Sequence, residues 1–358
     1  MWAVTPEFLE VIKKGHRIET VCSYTNPGGQ AREFTIDSGS VSVDNASNSR
    51  RTAKLTVTGD SADFTAMSVP GTVFRISHGL RLGNEPYLVP VFTGEMKKGS
   101  QAYGGGTISI PLVDLSVWLV RCGFTKPYSP AAALPRVEAI KEIVLGARPG
   151  TTIVNTSSDT GLVGIKQVWS GTRWDAIRDL ARDGRTEAFF LPDGTFAIRD
   201  KATTLSAAVW ATTGVLKSLE RTRHSDALVN TIIVRRVHAK EQPWSQQTAA
   251  ITALADPRHP NYIGVIPKII DAPTPRTASE AMAVAISARD TLLGVPETLS
   301  FESLSNPALE GGDVIRVNAP ASGLAPADTF QHFIDGFDIN LKSGAMSATT
   351  RSQVVVDA

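Results

Sequence analysis

The sequence predicts a mostly β, α+β protein laid out in three stretches: β, then α+β, then β interrupted by one helix. Three observations predict it. Apolar and polar residues alternate in Arg17–Tyr24, Ala53–Gly59 and Thr107–Asp114, the period of half-buried strands. The middle third changes to a helical apolar period followed by Pro-Asp-Gly hairpin chemistry. Near the end, Thr277-Ala-Ser-Glu280 opens a capped helix between strand-like runs.

The elements follow in order. Residues 2–15 read as a short helix, with Thr5 as its cap, Pro6 in its first turn and Gly15 as its stop. Val4 and Leu9 stand at staple positions, and Phe8, Leu9 and Ile12 form one stripe. Such a short helix must dock on its own chain or on a neighbour. From 16 to about 127, strands alternate with turns at Asn26–Gly29, Asp37–Gly39, Gly83–Pro86 and Gly104–Gly106. That spacing suggests a small barrel or sandwich.

Between 128 and 207, Leu134-Pro135 opens a helix that buries Val137, Ile140 and Val144. A second helix spans about Trp174 to Asp183 and stops at Gly184, followed by a hairpin turning at Pro192-Asp193-Gly194. Strands return over 208–237, and a polar, proline-rich excursion covers 239–275. The helix 277–293 follows, then strands near 298–303, 313–318 and 332–341. The tail from 346 to 358 is an edge strand or unstructured.

Composition narrows the function. Lys and Arg number 36 against 35 Asp and Glu, so the net charge is +1. That lacks the basic excess of a nucleic-acid reader, which argues against sequence-specific DNA binding. A length of 358 residues exceeds one ordinary core. No run approaches the ~20 apolar residues of a membrane span, and the N-terminus lacks a signal-peptide pattern. Cys22 and Cys122 read as two free, buried thiols.

The chemistry-bearing residues form no catalytic set. The six histidines lack ligand spacing, and no GxSxG, P-loop or GxGxxG occurs. His224 with Asp226 reads as a polar turn, and His259 as part of a proline loop. Asp175, Asp179 and Asp183 share a helical face, but Arg178, Arg182 and Arg185 interleave them, as on a solvated surface. No cofactor or metal is called for. Arg50-Arg51 and Arg235-Arg236 are basic pairs suited to a channel wall or to acids across a subunit boundary, with solvation as the default. Trp2, Phe8, Leu9 and Trp244 are candidate interface residues.

Three stretches carry a family resemblance. They are Trp2 with Thr5–Leu9 and Gly15-His16, the helix–hairpin Trp174–Asp200, and Asn306–Val317 after its helix. With the order of elements they resemble the baseplate or tail-tip hub proteins of tailed bacteriophages, in particular short siphophage hubs. The resemblance implies two tail-tube-like β-barrels, at 16–127 and 208–345, around the inserted α+β domain at 128–207. Residues 1–15 would form an arm. Three copies would close a ring that adapts a six-fold tube to a three-fold tip. The implied role is structural: a homotrimer at the virion tail tip, made in the host cytoplasm. Its partners would be the tail tube, the distal tail protein, the tape-measure protein and fibre proteins, with DNA passing through the channel. The alternatives are a six-fold distal tail ring protein, a cell-wall hydrolase and a carbohydrate-binding host-attachment module.

Overall fold

The computed structural model describes residues 1–352 apart from 15–16, 83, 103–105, 165–167, 203–204, 224–227, 238–239, 241–242, 273–274, 276, 293–296 and 321–326. The expectations for Gly15, His16, Gly83, Gly104, Gly105, His224, Asp226 and residues 353–358 lie outside the described residues, whereas residues 346–351 of the expected tail belong to a strand paired on both sides, not to an edge or an unstructured end. The helix α1 (Pro6–Ile12) is capped by Thr5, whose Oγ1 accepts from Phe8 N at 3.3 Å. It is shorter than the expected 2–15 because Trp2 is extended, donating its backbone N–H to Ala308 O at 2.6 Å.

The first β stretch runs β1 (Ile18–Thr25), β2 (Ala31–Phe34), β3 (Ser38–Asp44) and β4 (Arg51–Thr58), then α2 (Ser61–Met67). Asp60 and Asp63 cap α2 reciprocally, a helix start that the strand-like reading of this region passed over. Next come β5 (Val73–Leu82), β6 (Glu85–Met96), β7 (Ser100–Ala102), β8 (Thr107–Asp114) and α3 (Ser116–Arg121). Cys22 is buried in β1 as expected, whereas Cys122 caps α3 and is exposed; neither is in a disulfide.

The inserted unit comprises α4 (Arg136–Ala147), β9 (Ile153–Asn155), α5 (Arg173–Asp183), β10 (Thr186–Phe190) and β11 (Phe196–Asp200). Its sheet has the order β10-β11-β9. Val137, Ile140 and Val144 of α4 and Trp174, Ile177 and Leu180 of α5 meet in its own core, as the helical period required.

The remaining elements are β12 (Trp210–Ala211), β13 (Leu216–Arg223), β14 (Thr231–Arg236), β15 (Gln246–Ala250), α6 (Pro260–Ile263), β16 (Pro267–Ala272), α7 (Ala278–Leu292), β17 (Glu297–Leu304), β18 (Val314–Ala319), β19 (Asp328–Asn340) and β20 (Ala345–Arg351). Here the structure corrects the sequence reading. Strand β14, read as part of the second β stretch, lies in a separate sheet of order β15-β14-β16. Its partners come from the polar excursion, and α7 covers it by packing Ala281, Val284 and Ala285 on Ile232 and Val234.

Both outer β stretches join one large sheet along the path β13-β17-β20-β19-β3-β4-β8-β6-β5-β1-β2. The joining strand is β19. Its first half pairs with β18 from Val314↔Phe333 to Ala319↔Asp328, and its second half pairs with β3 from Gly336↔Asp44 to Asn340↔Ser40. A register shift between Ile334 and Gly336 separates the halves, as a bulge that re-aims a strand does. One core follows, in which Val41, Leu55 and Ile110 from the first stretch touch the same cluster as Leu299, Phe337 and Ile339 from the last.

Candidate functional site

The charged residues that sequence reasoning placed at a surface meet instead in a buried joint. Arg50 and Arg51 are 6% and 2% exposed. They stand where the β3–β4 turn enters β4. Arg51 Nη1 donates to Phe190 O at 3.0 Å, Arg51 Nη2 donates to Glu310 Oε2, and the Arg51 backbone N–H donates to Asp114 Oδ2 at 2.8 Å. Arg50 Nη2 donates to Glu187 Oε2 at 2.5 Å, with Glu310 Oε1 3.7 Å from Nη1. Its guanidinium lies 3.5 Å from the centre of the Phe189 ring.

The inserted hairpin completes the network. Arg199 Nε donates to Glu187 Oε1 at 2.6 Å, and Arg199 Nη2 to Gly311 O at 2.9 Å. The loop 306–313 is shaped to receive these contacts. Glu310 N donates to Asp313 Oδ2 at 2.8 Å, and the Met1 amino group lies 2.7 Å from Asp313 Oδ1. The two glycines are required there. A Cβ on Gly311 would sit 2.0 Å from Asn45 Oδ1, and Gly312 has φ +85°. The Leu-Glu-Gly-Gly-Asp motif is thus a socket for the Asn45–Arg51 turn and for Arg199.

The electrostatics fit a fixed clamp. Burial pushes the Arg50 pKa down, against the pull of Glu187 and Glu310. Burial would raise Glu187, but Arg50 and Arg199 outweigh it and hold the carboxylate below its ordinary range. Burial raises Asp114, opposed by donors from Ser116 and Arg51. Removing one member of such a buried set leaves an uncompensated charge, costing about 3–5 kcal/mol. The arrangement ties the large sheet, the inserted unit and the C-terminal loop into one orientation. It positions chain segments.

The other candidates are placed as follows. Phe8 is fully buried, and Trp2 and Leu9 pack against the same core. Trp244 is 5% exposed and donates its indole N–H to Pro275 O at 3.1 Å. All four therefore make contacts within their own chain. Arg235 pairs with Asp271 on the neighbouring strand β16, with both side chains exposed. Arg236, beside it, is exposed. Arg178 and Arg182 pair with Asp175 and Asp179 as the helical spacing predicts. Asp183 departs from that surface face: its side chain is 2% exposed, and burial pushes its pKa up to about 7. His259 caps α6, accepting from Asn261 N at 3.1 Å. His78 and His332 are buried beside Thr20 and Thr350, and burial lowers the His332 pKa.

No local pattern in the chain signals the joint. Arg51 and Glu310 are 259 residues apart, and only the merging of the two β stretches into one sheet brings them together.

No family model matches the chain, and no curated protein matches its sequence. Solved structures do. A tail protein from Neisseria meningitidis MC58 superposes with a TM-score of 0.63 at 13% identity, covering 93% of this chain and 96% of that one. The 43 kDa tail protein of prophage MuSo2 from Shewanella oneidensis gives 0.62 at 14% identity, covering 93% and 98%. The chain has a phage tail-protein fold. The prophage tail protein gp18 from Listeria monocytogenes EGD-e gives 0.55 at 11% identity, again over 93% of this chain. A coverage of 93% cannot be reached without both the large sheet and the inserted unit, so the overall fold is that of these tail proteins.

Proposed function

We propose that the chain is a structural component of a virion tail, acting as a tail-tip hub. The observation that carries this reading is the agreement along 93% of the chain with tail proteins of nearly the same extent. The internal design supports it. One sheet draws strands from both ends of the chain, and a buried ionic joint fixes the inserted unit to it. Those are properties of a part that must hold its shape under load.

In this reading the strand sets on either side of β19 act as two barrel-like halves per chain. Three copies close a ring of six, matching a six-fold tube above and a three-fold tip below. The ring surrounds the channel through which DNA leaves, and it meets the tail tube, the distal tail protein, the tape-measure protein and tip or fibre proteins. The chain binds no cofactor and performs no catalysis.

A nonsense mutation in the virus or prophage that encodes the chain tests this. The expected result is particles without finished tails, restored by the chain supplied in trans. Complete tails that fail only at host entry, together with clearing of a cell-wall gel by the purified chain, would overturn it in favour of a hydrolase.

A further inference from the structure

A cavity of ≈ 430 Å³ opens where the inserted unit faces the α7 unit beside the Asn45–Asn48 turn. Its floor is apolar. Ile177 and Ala181 of α5 line one wall, and Val284 and Ala288 of α7 line the other. Each pair is four residues apart, so both helices present one face to the slot. Trp174 also lines it, is 8% exposed, and its buried indole N–H has no acceptor within the described chain.

The rim is cationic. Arg178, Arg182, Arg185, Lys201 and Lys268 line it and are exposed, while Glu187, the one lining acid among the described residues, already serves Arg50 and Arg199. Asp175 and Asp179 offset Arg178 and Arg182. No ion pair within the described chain offsets Arg185, Lys201 or Lys268. Crowding by protein atoms and the Arg351 charge, with a smaller push from Lys268, outweigh the nearby Glu187 carboxylate and hold the Lys201 pKa below its ordinary value. Within the slot itself the cations outnumber the acids.

We infer that this slot is a docking site for an acidic, apolar-faced segment of a partner protein. Its apolar side chains would enter between α5 and α7, and its carboxylates would meet Arg185, Lys201 and Lys268. The adjoining cavity of ≈ 730 Å³ shares Arg185, Lys201 and Val284 with the slot but carries Asp159, Asp183, Asp200, Glu280 and Asp290. With Asp159 and Asp290 already paired to Arg136 and Arg289, Asp200 and Glu280 still end the cationic stretch at the slot, which suits a short acidic segment that stops there and not a continuous nucleic-acid strand. The inference goes beyond the structural role proposed above and does not depend on it.

The test uses the purified full chain and a fluorescein-labelled amphipathic peptide with leucine on one face and glutamate on the other, read by anisotropy. Saturable binding is expected, weakened about tenfold or more by the Lys201→Glu/Lys268→Glu double variant, whose changes are on exposed side chains. Ala288→Trp, which fills the slot, is expected to abolish binding; an unchanged melting profile certifies each variant. Absence of saturation, equal binding of a leucine/lysine peptide, indifference to the charge reversals, or displacement of the peptide by a single-stranded oligonucleotide would each overturn it. None of these outcomes bears on how many copies of the chain a tail contains, so the two readings fail separately.

Discussion

The large sheet and the β15-β14-β16 unit are both sheets with a buried face, yet they are held in different ways. The large sheet packs Phe74, Phe92, Leu299, Phe301 and Phe337 into one core fed by both ends of the chain. The small unit packs Ile232, Val234 and Trp244 against Ala249, Ala272, Ala281 and Ala285. Alanine buries little apolar surface, and burial contributes about 25 cal/mol per Å². The small unit is therefore expected to be the weaker body and to open first under stress.

The largest effect that would break this contrast is at the joint. Arg51→Met strands Glu310 without its closest cation in a buried site, and we expect a loss of about 3–5 kcal/mol in urea unfolding. Adding Glu310→Met should recover part of it, because the stranded charge is gone. A loss under about 1 kcal/mol would show that the joint does not organise the fold.

Next in size is the small unit. Val234 is 0% exposed, and Val234→Ala should cost about 2 kcal/mol. The cost should stay local. Hydrogen exchange should speed up in Thr231–Arg236 and in α7, with the amides of Val41 and Phe337 unchanged. Uniform acceleration through both sheets would mean that the two bodies unfold as one.

A pH-dependent effect, modest per pH unit, separates Asp183 from the solvated helix face that the sequence suggests. Asp183 is raised from 3.8 to about 7 by burial. The folded chain then keeps a proton that the unfolded chain has lost. The stabilisation is full below pH 3.8 and is lost as pH rises to about 7. The parent should lose up to about 1.4 kcal/mol per pH unit across that window relative to Asp183→Asn. Parallel stability curves for the two would refute the buried-acid assignment.

The smallest effect is expected at Arg235, whose pair with Asp271 is solvent-exposed. Arg235→Ala should change stability by less than about 1 kcal/mol, and less still in high salt.

The same contrast explains what the sequence made legible. Alternation in Ile18–Thr25, Arg51–Thr58 and Thr107–Asp114 revealed strands because one face of each is buried. The Trp174–Asp200 helix–hairpin is readable because its signals are local: a helical stripe, the stop at Gly184 and a Pro-Asp-Gly turn. Strand β14 has an ordinary strand pattern, but nothing in Thr231–Arg236 says which sheet it joins. Its partners Gln246–Ala250 and Pro267–Ala272 are polar or proline-led and read as loop. The joint failed for a related reason. Arg50 and Arg51 look like surface charge until Glu187 and Glu310 arrive from distant parts of the chain.

Cryo-electron microscopy of intact tail tips tests the central claim most directly. The account predicts three copies of this chain around an axial channel, each contributing two barrel-like halves, with the inserted unit clamped through Arg50 and Glu187. Six copies with one such half each, or a position away from the axis, would contradict it.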